Sequence, residues 1–344
     1  MLLLKTLCIL FVNGNVMHHD VVTIGAATRD VFLISNAFQL IASPKFSTGV
    51  GECVALGSKI DLEDAILTTG GGATNSAVTF AHLGFNTATV ARIGQDDAAE
   101  AIINDLQKHG VQTDLLRRVA KGRTAYSTLL TAKNGERSVL VFRGVSANFE
   151  KRDIPLSATK AKALYVTSLA GNLDVLRHIL VQSRKNKASV ALNPGHGELQ
   201  QAAKLLDLLR LVDVLIVNLE EARQLLAAPQ AAAAEAVRAL SQFCGTVILT
   251  DGPKGAYAVA GGVVWFARPN NKKSVSRTGA GDAFGSGTFA ALLRGYTLDQ
   301  ALKIGMLNAE SVIQQYSAKT GILRTWPSAK ALSSVSVKKI AAKS

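Results

Sequence analysis

The chain of 344 residues predicts an α/β protein: a doubly wound, mostly parallel sheet with helices on both faces, plus a small β lid. Three observations carry this expectation. Short β-rich segments alternate with helix-length segments from residue 66 onward, the order expected of βαβ units with right-handed crossovers. Hydrophobic residues make up 48% of the chain, enough to fill one large core, so length alone does not require two domains. Glycines and isolated polar residues recur just after the predicted strands, where open α/β sheets bind their ligands.

The elements follow in order. Residues 2–12 are apolar but interrupted by Lys5, too short to span a bilayer and without a small-residue cleavage site after them. Residues 1–19 therefore read as an extension outside the fold, with a weak signal sequence as the alternative. The first strand is Asp20-Val21-Val22-Thr23-Ile24-Gly25. Residues 31–64 alternate without a helical period and read as short strands forming the lid. A strand at 66–69, the glycines 70–72, a helix from about 73 to 83, a strand at 87–93 and a helix at 97–109 ending near Gly110 follow. Segments 125–131 and 138–142 flank Lys133-Asn134-Gly135-Glu136, an Asn-Gly hairpin signal. Further strands fall at 163–167, 189–193, 212–218 and 246–250, and the last enters a hairpin (256–259 with 263–267) turning at Gly261-Gly262. The alanine run 231–234 belongs to an alanine-rich helix. The folded domain is expected over 20–330, with 331–344 a basic tail.

Composition narrows the function. The formal net charge of +13 would suit an anionic polymer, but the 38 Lys and Arg are dispersed without interleaved aromatics, which argues against nucleic acid as the partner. A basic surface of this kind attracts phosphorylated small molecules. Cys8, Cys53 and Cys244 are far apart and form no Cys-x-x-Cys, so neither a disulfide framework nor a zinc site is expected, and a reducing cytoplasm fits.

One stretch organises the chemistry: Arg277-Thr278-Gly279-Ala280-Gly281-Asp282-Ala283-Phe284, opening an apolar helical run that closes on Gly295. The amides of Gly279, Ala280 and Gly281 would face outward at a helix N-terminus, which is an anion site. Asp282 would repel a phosphate there unless it has a separate task, and proton abstraction from a hydroxyl attacking a γ-phosphoryl group is such a task. Helix capping is the other reading of an Asp at this place. The dipeptide Gly-Lys is absent, which excludes a P-loop. Asn75 and Phe284 stand where the third glycine of a dinucleotide loop would be, and Phe284 where a hydrolase elbow around Ser286 needs glycine.

Gly70-Gly71-Gly72-Ala73-Thr74-Asn75, Asn218-Leu219-Glu220-Glu221, Thr250-Asp251-Gly252-Pro253-Lys254-Gly255 and Thr278-Gly279-Ala280-Gly281-Asp282-Ala283-Phe284 occur in the order of four signatures of one family. From about residue 21 to 323 the chain resembles the ribokinase-like (PfkB) family of carbohydrate and nucleoside kinases. The resemblance implies transfer of the γ-phosphate of ATP to a hydroxymethyl group of a sugar, or of a nucleoside, with Asp282 as base and residues 279–281 as anion hole. It implies that Asp30, Gly70, Gly71 and Asn75 hold the acceptor. Asn218 and Glu221 would organise Mg²⁺, Glu221 through water, and Thr250, Asp251, Gly252, Lys254 and Gly255 would run along ATP. The bland readings are a turn Asp at 30, a helix N-terminal Asn at 75, a first-turn carboxylate at 221 and a plain hairpin entry at 250–255. Family lids often pair, which would make a homodimer through the lid one option, while the sequence leaves the oligomeric state open. The departures are Gly72 in place of the Lys of ribokinases proper, and Ser276-Arg277 in place of Asp-Thr, which puts a monovalent-cation site in doubt. Met306 falls near the position of an adenine-contacting Asn, with Asn308 two residues on. A non-catalytic binding protein on the same fold is the alternative outside enzymes, and the intact Asp282 speaks against it.

Overall fold

The computed structural model describes residues 19–46, 48–132, 137–270 and 272–340. Six parallel strands lie side by side in the order Thr87–Val90, Val21–Ile24, Ala163–Val166, Ser189–Leu192, Val214–Asn218 and Thr246–Thr250. The hairpin Ala256–Ala260 with Val263–Ala267 and the strand Val337–Ile340 extend this sheet antiparallel. Successive residues of a strand point to opposite faces, and the two faces bury different cores. Val22, Ile24, Leu164 and Val166 pack with the helices Leu173–Lys185, Ala202–Leu209 and Ala233–Leu240. Val21, Ala163 and Tyr165 pack with Phe80 of helix Gly72–His82, Phe284 and Phe289 of helix Ala280–Leu293, and Leu302 of helix Leu298–Val312. Helices therefore cover both faces, as the fold class requires. Among the described residues no helix is long and apolar enough to cross a membrane.

The lid is a separate four-stranded sheet in the order Arg137–Phe142, Ala125–Thr131, Thr28–Ile34, Asp64–Gly70. This corrects the expected lid boundary of 31–64 at both ends and moves 66–69 out of the main sheet. The strands Ala125–Thr131 and Arg137–Phe142 join the lid as well. The reason is physical: alternation marks a half-exposed strand but does not say which sheet completes its ladder. Within 31–64, Gln39–Ala42 and Val50–Cys53 form their own two-stranded hairpin. The Asn-Gly turn expected at 133–136 lies outside the described residues, while the strands flanking it pair antiparallel, Arg137 opposite Thr131. The expected strand 87–93 breaks at Ala91, and Arg92–Ile93 pairs instead with Arg117–Arg118.

Both termini of the expected domain need correction. Val337–Ile340 pairs with Val263–Ala267 as the edge strand of the main sheet, so 331–344 is not simply a tail. Its basic residues Lys338 and Lys339 obscured a strand that suits an edge, where Lys discourages further pairing, and the Lys339 ammonium sits 5.1 Å from the Trp265 ring centroid. Residues 1–18 of the expected extension lie outside the described residues, whereas His19 is buried.

Candidate active site

Helix Ala280–Leu293 starts from Gly279 at φ 79°, a left-handed conformation that glycine adopts without strain. A β-carbon at Gly279 would also collide with Ala318. No side chain closes this helix terminus, and the first amides of a helix have no partner within it. One expectation changes here: the Ala280 N–H donates to Arg277 O at 3.3 Å, closing a turn. The amides of Gly279 and Gly281 remain at the helix mouth, and a β-carbon on Gly281 would meet nothing within 4 Å.

Asp282 stands in the first turn, and its Oδ2 accepts from Asn75 Nδ2 at 2.8 Å, across 207 residues of sequence. The carboxylate is thus committed to a side chain of another helix and does not cap its own. Asn75 arrives from helix Gly72–His82, which follows Gly71 at φ 100°. A β-carbon at Gly71 would run into Ala26 O, so only glycine lets this turn pass beneath the first strand's exit. Two helix N-termini thereby converge, one supplying amides and the carboxylate, the other the amide side chain that orients it.

Asp30 faces them from the lid. It lies within strand Thr28–Ile34 rather than in a turn, is 6% exposed, and accepts from Thr28 Oγ1 at 2.7 Å. Gly70 stands opposite Thr28 in the lid ladder, and a β-carbon there would overlap the Asp30 carboxylate. Burial is the largest influence on both acids and pushes each carboxyl above its ordinary range. For Asp282 the Asn75 hydrogen bond opposes this, the Asp30 charge adds to it, and Lys319 opposes it.

Asn218 and Glu221 close the N-terminus of helix Leu219–Leu225 reciprocally: Asn218 N donates to Glu221 Oε2 at 2.8 Å and Glu221 N to Asn218 Oδ1 at 2.9 Å. The bland reading of Glu221, a first-turn carboxylate, is therefore the arrangement observed. Burial raises its carboxyl, bonds to Asn218 lower it, and the charges of Glu220 and Asp282 raise it, so Glu221 and Asp282 sense each other. Thr250 pairs with Asn218 across adjacent strands, placing the 250–255 segment beside them. Gly252–Lys254 is one 3₁₀ turn, its Lys254 ammonium 3.8 Å from Asp251, and the segment does enter an antiparallel hairpin. Gly255, at φ 122°, lies so close to Ala267 O that no β-carbon fits.

Sequence reasoning missed Lys319, which is 2% exposed and bonded to Thr69 and Asp105. Nothing in Ser317-Ala318-Lys319-Thr320-Gly321 distinguishes it from a surface loop. Asn308 is fully buried, donating to Ala283 O at 2.8 Å and accepting from Leu323 N at 2.9 Å, so it ties the first turn of helix Ala280–Leu293 to Leu323. Met306 packs in the apolar core. A cavity of about 680 Å³ beside Arg92, Phe149, Asn172 and Lys204 contains none of these site residues.

A family model for pfkB family carbohydrate kinases matches residues 20–326. The chain belongs to the pfkB family. Among this pfkB protein's relatives, an uncharacterized sugar kinase of Archaeoglobus fulgidus is 27% identical over 249 residues, 71% of this chain and 97% of the relative. A ribokinase of Haemophilus influenzae is 26% identical over 297 residues, covering 83% and 92%. The solved structure of adenosine kinase from Sinorhizobium meliloti superposes with a TM-score of 0.72 at 23% identity, covering 89% of this chain and 97% of that one. That likeness is one of fold, the ribokinase fold.

Proposed function

We propose that this pfkB-family protein transfers the γ-phosphate of ATP to a hydroxymethyl group of a sugar. The observation that carries the reading is the Asp282 carboxylate at an uncapped helix mouth, held by Asn75 instead of by its own backbone. Asp30 and Asn75 hold acceptor hydroxyls. Asp282 takes the proton as the O–H bond breaks and the acceptor oxygen joins the γ-phosphorus. The bond from that phosphorus to the β–γ bridging oxygen breaks, and ADP leaves. The amides of Gly279 and Gly281 meet the charge on the transferring group. Residues 250–255 run along the nucleotide.

The donor set fits Mg²⁺ as the metal. Asn218 and Glu221 offer hard oxygen ligands beside Asp282, and Mg²⁺ is commonly held by one or two carboxylates through retained waters. When bound, it neutralises the β and γ phosphates. Ser276 supplies no carboxylate for a monovalent cation, so K⁺ stimulates little. A nucleoside acceptor is the second reading, because Gly72 adds neither charge nor bulk to the acceptor loop. Cytoplasmic residence agrees with an ATP-dependent step and with the free thiols of Cys53 and Cys244.

The test is Mg²⁺-dependent ADP release across pentoses, hexoses, sugar phosphates and nucleosides. At least one acceptor with a primary hydroxyl should be turned over. No acceptor-dependent ADP release anywhere in the panel would contradict the reading.

A further inference from the structure

An ammonium as buried as that of Lys319 is tolerated where charge and hydrogen bonds compensate for lost water. Its Nζ donates to Thr69 Oγ1 and, at 3.0 Å, to Asp105 Oδ2. Thr69 Oγ1 donates to the same Asp105 oxygen, which closes a triangle. Thr69 directly precedes Gly70 in the lid strand Asp64–Gly70, and Asp105 belongs to helix Asp97–Lys108. The triangle therefore grips the lid one residue before the acceptor loop.

The neighbours of Lys319 extend this contact in both directions. Ser317 Oγ and Thr68 Oγ1 are 3.1 Å apart, and the Tyr316 ring meets the edge of Phe32, centroids 6.0 Å apart. Phe32 lies two residues beyond Asp30, on the same face of its strand. On the other side, Ala318 packs against Gly279 closely enough to exclude a β-carbon. Four consecutive residues thus touch two adjacent strands of the lid, Thr28–Ile34 and Asp64–Gly70, and the first glycine of the anion hole.

We propose that Lys319 is a positioning residue: by clamping Thr69 to Asp105 it fixes the lid and the acceptor loop at one distance from the anion hole. The proposal rests on the kinase reading above and deepens it. The charged groups facing this ammonium are Asp105 from its helix, Asp30 from the lid and Asp282 from helix Ala280–Leu293. Beyond Asp105 stands His109, whose Nδ1 is 2.9 Å from His82 Nε2. Lys319 favours the ionised forms of Asp30 and Asp282 against the effect of their burial. Its removal should therefore move the acidic limb of kcat/KM to higher pH.

The experiment compares Lys319→Met and the double variant Lys319→Met/Asp105→Asn, which removes the ammonium together with its ion-paired carboxylate, with the wild type. In both variants the acceptor KM should rise about tenfold or more while the ATP KM stays within about twofold, and the acidic limb should shift upward. The double variant should recover melting temperature without recovering acceptor KM. A folded double variant with the wild-type acceptor KM and pH profile would overturn the proposal. Should the wild type turn over no acceptor, the kinase reading fails separately, and amide exchange at residues 68–71 decides the clamp. Faster exchange in the double variant supports it, and unchanged exchange overturns it.

Discussion

Asp30 and Asp282 are held by different means although burial acts on both in the same direction. Asp282 is oriented by one amide side chain, while Asp30 is enclosed by Thr28 and by the space that Gly70 leaves. Asp30→Ala should raise the acceptor KM by the equivalent of roughly 2 to 4 kcal/mol, the worth of a charge-assisted pair of hydrogen bonds, with ATP affinity kept. Steady-state kinetics with both substrates check this, and unchanged acceptor kinetics would reassign Asp30 to lid structure. Asp30, Asn75 and Asp282 were legible because each breaks its local pattern: a carboxylate after a strand, an amide after three glycines, an acid in an anion site. Lys319 and Asn308 were not, because a lone Lys in a loop or an Asn in a helix resembles a solvated residue until tertiary packing buries it.

At the scale of elements, the six parallel strands were legible because they are short, apolar and followed by turn signals. What the sequence did not specify was partnership. The lid takes strands from three separated segments, and the final edge strand, Val337–Ile340, joins the main sheet far along the chain from its partner Val263–Ala267, a pairing that only three-dimensional contact decides. The lid's own edge strand, Arg137–Phe142, exposes Leu140 by 58%, Val141 by 54% and Phe142 by 52%. Among the described residues this strand ends its sheet, and an edge with this much apolar surface is suited to pairing with a second copy. The expected assembly is a homodimer through the lid, which sedimentation velocity at micromolar concentration would detect, and Leu140→Lys should shift it toward monomer. A monomeric wild type would contradict the expectation.

Across the whole molecule, the doubly wound sheet brings the C-terminal ends of its strands together, the two glycine-led helices enter from one face, and the lid closes over them. No single segment holds the site. Asn75 and Asp282 meet only because helices Gly72–His82 and Ala280–Leu293 pack on the same side of the sheet. If Asp282 accepts the proton of the acceptor hydroxyl, Asp282→Asn removes that function and little else. Asn preserves size and an oxygen to accept from Asn75, so the fold and ATP affinity should hold while kcat falls by at least about 10²-fold. Because the folded carboxyl is raised, the native state binds its proton more readily than the unfolded chain, and the stability linked to that proton is lost as pH rises through the folded value. At neutral pH the neutral Asn should therefore cost no melting temperature. The measurement is turnover with the best acceptor of the panel, alongside ATP affinity and melting temperature for both proteins. A folded Asp282→Asn protein that binds ATP and retains near-wild-type kcat would contradict the account.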